Sequence, residues 1–196
     1  MQILDELVAA GRRLDERGWV PATSGNLSAR DADGVWITSS GHHKGRLDHG
    51  HFLRLDADGR PPAGTRPSAE TALHLGLYRR EPDIGAVLHT HSVNATVLSR
   101  VYPEGVPFED HEIAKAFPGV DTHASAHRIP VWPNDQDVDR LWRAIAPHDL
   151  PLPGFLIGGH GLYAWGTTVD DALRHVEAFE HLFACIVLEH RLRSTP

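Results

Sequence analysis

Two histidines stand one residue apart in "GAVLHTHSVNA", residues 85–95, inside a run of otherwise apolar and β-branched side chains. In an extended strand, side chains at i and i+2 leave the same face about 6.6 Å apart along the chain. His89 and His91 can therefore turn both imidazoles onto one ion, each nitrogen at about 2.0–2.1 Å, while Thr90 faces the other way. A catalytic zinc site needs three protein ligands and an open position. The third donor suggested by the sequence is His160 in "GGHGLYAWG", where glycines on both sides permit a close backbone approach and leave the imidazole uncrowded. The spacing alone is equally compatible with two buried, hydrogen-bonded histidines.

Other histidine pairs carry less. His49 and His51 in "LDHGHF" flank Gly50 in a turn, where side chains need not share a face, and read as solvated. His123 and His127 in "HASAH" have helical i, i+4 spacing, but lie in a stretch that looks like a loop entering a strand and read as structural.

The elements that must position these residues follow from periodicity. Residues 2–17 place Ile3, Leu4, Leu7, Val8 and Leu14 at helical spacing, closed by Gly18. "VWITSSG" (35–41) predicts a strand running into a glycine turn, and "FLRLDADG" (52–59) a strand closed by Asp-Gly, with antiparallel pairing. "RPSAETALHLGLYRR" predicts a helix capped at Ser68 with Glu70 in its first turn. "IGAVLHTHS" is a strand followed by a helix to about residue 100. "FEDHEIAKAF" predicts one short helix, "HRIPVWP" a strand, and "FLIGGHGLYAWG" two strands around a glycine bend. The tail from Val169 is the longest helix, with Thr168 as its cap.

Composition narrows the function classes. The 196 residues, 41% hydrophobic and 23% charged, suit one α/β domain over 1–196 with a mixed or antiparallel sheet covered by helices. A net charge of −7 argues against a general nucleic-acid surface, so any phosphate must be held by a few local donors. One cysteine, Cys185, leaves no internal disulfide framework and fits a reducing cytoplasm. The first 20 residues are amphipathic rather than a signal peptide. No apolar run approaches the ~18 residues of a membrane span.

In order along nearly the whole chain, "SGNLSAR", "ITSSGHHKG", "RPSAETALH", "AVLHTHS" and "GHGLYAWG" resemble the class II aldolase/adducin-like family. Within it, "FEDHEIAKAF", "IPVWPNDQD" and "GFLIGGHGLYAWG" look most like the branch that dehydrates 5-methylthioribulose 1-phosphate in methionine salvage. The resemblance implies a three-layer α/β/α fold around a largely antiparallel, mixed sheet. It also implies a homotetramer with active sites near subunit interfaces, and one zinc per subunit on His89, His91 and His160.

By the same resemblance the substrate phosphate meets Gly25 and Asn26 of one turn, Thr38, Ser39, Ser40 and Gly41 of another, Ser68 at a helix N-terminus, and Lys44. Glycine turns and helix N-termini do present N–H groups to anions. Two glutamates match acid/base positions. Glu112 is expected to serve the dehydration, with Glu70 as a metal-adjacent partner or co-catalyst. The implied chemistry is loss of the C3 proton to a zinc-stabilised enediolate, then loss of the C4 hydroxyl.

The methylthio group calls for an apolar pocket, for which the tryptophans and Phe117 are candidates, and Tyr163 either reaches the site or packs. The rivals are a sugar-phosphate aldolase or 4-epimerase using the same three histidines, and a non-catalytic adducin-like interaction domain. The last has no need of the histidines and glutamates, all of which are present.

Overall fold

Apolar residues three and four apart make the first helix, α1 (Gln2–Glu16), bury Leu4, Leu7, Val8 and Leu14, and Gly18, at φ +72°, turns the chain out of it. The computed structural model describes residues 2–193. An antiparallel meander follows, β1 (Asn26–Asp31), β2 (Gly34–Thr38) and β3 (Phe52–Leu55). Then come α2 (Thr71–Arg80), β4 (Ala86–Thr90) and α3 (Val93–Val101). Strands β5 (Val106–Glu109) and β6 (Ala126–Ile129) pair as a separate ribbon. The chain ends with β7 (Val131–Trp132), α4 (Val138–Ile145), β8 (Gly154–Ile157), β9 (Gly161–Gly166) and α5 (Val169–Arg193).

The main sheet has seven strands in the order β3-β2-β1-β4-β9-β8-β7, antiparallel throughout except for the β7–β8 pair. Strand alternation divides its apolar side chains between two cores. Leu27, Ala29, Leu88, Leu162 and Ala164 pack with residues of α1, α3 and α5. Val87, Phe155, Ile157, Tyr163 and Trp165 pack with Leu73 and Leu77 of α2 and Leu141 and Ile145 of α4. The result is the expected three-layer α/β/α arrangement, with β4 central and covered on both sides.

Three expectations need correction. "FEDHEIAKAF" is not one helix: Val106 and Phe108 are buried while Pro107 and Glu109 are exposed, the period of a strand, and only Glu112–Ala116 turns, as a 3-10 segment. "HRIPVWP" is two strands, because Pro130 between them lacks the N–H a ladder needs; β6 stays with β5 and β7 joins the main sheet. Helix α2 starts at Thr71 rather than after Ser68. The Ser68 carbonyl accepts both the N–H (3.2 Å) and the hydroxyl (2.6 Å) of Thr71, so residues 68–70 form a turn and Glu70 occupies the cap position. Thr168 does cap α5, its hydroxyl accepting the Asp171 N–H at 3.0 Å.

Candidate active site

The register of the sheet sets Asn26 of β1, His89 of β4, Tyr163 of β9 and Phe155 of β8 as successive cross-strand partners. They form one row on the face turned to α2 and α4. Glycines allow the backbone to close on the histidine strand from both flanks: a Cβ at Gly25 would sit 2.6 Å from the His89 carbonyl oxygen, and one at Gly161 would sit 1.9 Å from that of Thr90. His91 lies just past the strand, its N–H donating to the Trp19 carbonyl at 2.7 Å. His160 sits in the β8–β9 turn, where its N–H donates to the Ile157 carbonyl (3.1 Å) and its own carbonyl accepts the Thr96 hydroxyl (3.1 Å).

From these three places the imidazoles converge. His89 Nε2 lies 3.3 Å from His160 Nε2, and the ring of His91 is centred 4.6 Å from that of His89 and 4.5 Å from that of His160. Glu70 completes the group, one carboxylate oxygen 3.1 Å from His160 Nε2 and the other 3.3 Å from His89 Nε2. Ligand atoms of the four residues all lie within 4.8 Å of one another.

Protonation favours a cation here. His89 Nδ1 is 2.8 Å from the Leu162 carbonyl, which can only accept, so the ring proton is on Nδ1 and the Nε2 lone pair faces the cluster. Burial pushes His89 down to about 4 and His91 down to about 3, leaving neutral rings. Burial alone would raise the Glu70 carboxyl. The facing His89 and His160 and the Asn26 amide, which donates to it at 2.6 Å, outweigh that and hold it well below the usual carboxylate range. Neutral imidazoles with converging lone pairs beside an ionised carboxylate fit a divalent metal.

Tyr163 resolves as both packing and proximity: fully buried, it stacks on His89 at 4.1 Å and 17° and on Phe155 at 5.2 Å. Burial and the neighbouring Glu70 carboxylate keep its phenol protonated.

Glu70, His91 and His160 line a cavity of about 300 Å³, together with Gly25, Asn26, Thr38, Ser39, Ser40, Gly41, Lys44 and Ser68. Several donors of these turns are already engaged. The Ser39 hydroxyl (2.9 Å) and N–H (2.8 Å) both go to the His51 carbonyl, the Ser40 N–H goes to Arg66 (3.0 Å), and the Ser68 N–H goes to Thr38 (3.1 Å). Lys44 is buried, its ammonium donating to the carbonyls of Thr23 (2.9 Å) and His42 (2.7 Å), and burial lowers it to about 8. Among the described residues lining the cavity it is the one lysine or arginine.

Sequence reasoning missed part of this wall. Ser24, whose buried hydroxyl has no partner, lines the cavity, as do Asn134, Asp135 and Gln136 of the turn-rich "PNDQD" stretch. The apolar part is Leu73, Val138, Leu141 and Ile157. Phe117, expected there, instead packs on Phe179 at 4.4 Å in the opposite core, and no tryptophan lines the cavity among the described residues.

Within the protomer Glu112 is not brought to the cluster. It is exposed in the 3-10 turn, accepts from Lys115 at 2.6 Å, and lies 3.7 Å from His123. His49 pairs with Asp5 (2.8 Å), His51 with Asp48 (3.0 Å), and His127 with the Ser125 hydroxyl (2.8 Å), all outside the cluster.

The class II aldolase and adducin N-terminal domain family matches residues 5–187. The chain is 54% identical over 182 residues to a methylthioribulose-1-phosphate dehydratase of Methylococcus capsulatus, covering 91% of this chain and 89% of the relative. It is 52% identical over 190 residues to one from Pseudomonas fluorescens, covering 94% and 91%. Among solved structures it resembles Escherichia coli YgbL (TM-score 0.83, 25% identity, 100% and 91% covered). It also resembles the L-fuculose-1-phosphate aldolase of Thermus thermophilus (TM-score 0.76, 25% identity, 99% and 97% covered).

Proposed function

The chain belongs to the class II aldolase and adducin family, and from that premise we propose that it is a hydro-lyase converting 5-methylthioribulose 1-phosphate to 5-methylthio-2,3-dioxopentyl phosphate in methionine salvage. One observation carries the reading: Glu70, His89, His91 and His160 converge beside a cavity also lined by two hydroxyl-bearing turns. The relatives that share half of its sequence bear that dehydratase name.

His89, His91 and His160 would hold a zinc ion, with Glu70 adjacent. When bound, the ion supplies Lewis-acid stabilisation of negative charge developing on the substrate's oxygens. The substrate has a ketone at C2 and hydroxyls at C3 and C4. Glu70, ionised and anchored by Asn26, accepts the C3 proton as co-catalyst. Glu112 serves the dehydration, protonating the C4 hydroxyl so that it leaves as water. The resulting enol gains a proton at C4 and becomes the 2,3-diketone. The two turns, Ser68 and Lys44 hold the phosphate, and Leu73, Val138, Leu141 and Ile157 offer the methylthio group an apolar wall.

We further propose that the chain acts as one domain in a cytoplasmic homotetramer, and that Glu112 meets substrate across a contact between copies. Three features support this. Seven of the nine strands, from β1 to β9 in the chain, share one sheet. Cys185 is free. Val93, Val97 and Val101 lie one helical turn apart on α3, directly after His91, and are 75%, 45% and 57% exposed. Among the described residues no helix is long and apolar enough to cross a membrane.

The test is incubation with 5-methylthioribulose 1-phosphate, following diketone against aldehyde. Diketone is expected from the wild type and from neither Glu112→Gln nor Glu70→Gln at a comparable rate. Aldehyde without diketone would overturn the reading in favour of an aldolase.

A further inference from the structure

We infer that His74, which does not line the cavity, is a positioning residue that dictates which way the Asn26 amide faces and so aims the Glu70 carboxylate. The inference rests on the reading that Glu70 works as an ionised carboxylate at the centre.

Glu70 at the cap of α2 and His74 and Tyr78 within it are spaced four residues apart, and Asn26 and Ser28 are spaced two apart on β1, so one helical stripe faces one strand face. Between them runs a buried chain of hydrogen bonds: Tyr78 hydroxyl to Ser28 hydroxyl (2.8 Å), Ser28 hydroxyl to His74 Nδ1 (2.6 Å), His74 Nε2 to Asn26 Oδ1, and Asn26 Nδ2 to Glu70 (2.6 Å).

Donor and acceptor chemistry fixes the direction of every link. A carboxylate only accepts, so the Asn26 NH2 faces Glu70. Asn26 Oδ1 then faces His74 Nε2, which must carry the ring proton. Burial holds His74 down to about 4, so the ring is neutral and its Nδ1 accepts from Ser28. Ser28, having given its proton to that bond, accepts from Tyr78. All four donors point toward Glu70, an order in which each bond polarises the next. Without the His74 N–H, Asn26 Oδ1 loses the donor that holds it, and only the Glu70 carboxylate at the other end of the amide still selects its orientation. A flipped amide would set an oxygen against the carboxylate, which then loses its anchor. Apart from Asn26 itself, the cavity residues around the phosphate site, Thr38 to Gly41, Lys44 and Ser68, are untouched by that change.

Two measurements decide the point. In wild-type protein carrying 15N-histidine, NMR should find the neutral His74 ring protonated on Nε2; protonation on Nδ1 overturns the inference whatever the enzyme's activity. In steady-state kinetics, His74→Leu should lose about 10- to 100-fold in kcat with KM little changed, the usual size of effect for a residue acting through its neighbour. His74→Gln, which restores an amide N–H near the Nε2 position, should recover most of it. Equal loss in both variants, or none in His74→Leu, overturns the inference. Failure of the wild type to turn over the substrate instead sinks the proposed function, and the ring proton alone then decides the role of His74.

Discussion

Replacing Glu180 with glutamine should remove one contribution to the protein's loss of stability as pH rises. Glu180 lies on α5 at 3% exposure, and neither carboxylate oxygen has a hydrogen-bond partner. Burial pushes its carboxyl up to about 7 from 4.5, with the nearby hydroxyls of Ser92 and Thr90, short of a well-formed hydrogen bond, pulling the other way. Arg17, Arg174, Glu177 and His181 share the cavity it borders, and Glu177 is paired with Arg13. The folded pKa of this acid is raised, so between the two values the folded chain holds a proton that the unfolded chain has lost. Stability therefore falls as pH rises through that window, by about 1.36 kcal/mol per unit while the difference is complete. Integrated from about pH 5 to about pH 8, with rounding at each end, the loss attributable to Glu180 is about 2.5 kcal/mol. Glutamine is neutral throughout and lacks it. Urea unfolding of both proteins at the two pH values, in the same metal and assembly state, gives a double difference in which every other titrating group cancels. Glu180→Gln should gain about 2.5 kcal/mol on wild type between the two pH values. A wild-type-to-variant difference that does not change with pH would refute the reasoning, since Glu180 would then be as well solvated in the fold as outside it.

Gly161→Ala places a methyl 1.9 Å from the Thr90 carbonyl oxygen, so β4 and β9 must separate beside the histidines; thermal or urea unfolding should show a loss of about 1–3 kcal/mol, and metal retention should weaken with it. His91→Ala should keep the fold by circular dichroism but lose bound metal by elemental analysis, whereas Glu112→Gln should keep its metal and lose activity. If Glu112 acts across a contact between copies, mixed assemblies of those two inactive variants should regain part of the activity, and mixtures as inactive as either parent would exclude that arrangement.

What the sequence revealed was what local period can carry. The strand bearing His89 is a buried, mostly apolar run with His91 just past its end, and a period of two is enough to bring both rings to one side. Helix α1 and the cap at Thr168 read equally well, since each depends on residues within one or two turns. Two of the misread segments are ones where a single residue overrides the pattern. Pro130 divides two strands between two sheets, and the Ser68 carbonyl, by capturing Thr71, delays α2 until Glu70 has become its cap.

The interior of the site was hidden for a different reason. Asn26, His89 and Tyr163 share a row only through the β1–β4 and β4–β9 register, and no local pattern encodes which residue of a distant strand will stand opposite. Part of it was nevertheless present in residue types. Helix α2 turns its apolar side chains Leu73 and Leu77 to the core, yet Glu70, His74 and Tyr78 recur at every fourth position beside them. A buried polar stripe of that kind needs a partner for each donor and acceptor. Asn26 and Ser28, alternating on a strand that also buries Leu27 and Ala29, are the complementary stripe. Matching one polar stripe of period four to another of period two would have paired α2 with β1, and with that pairing Glu70 falls beside His89, while nothing within the protomer draws Glu112 there.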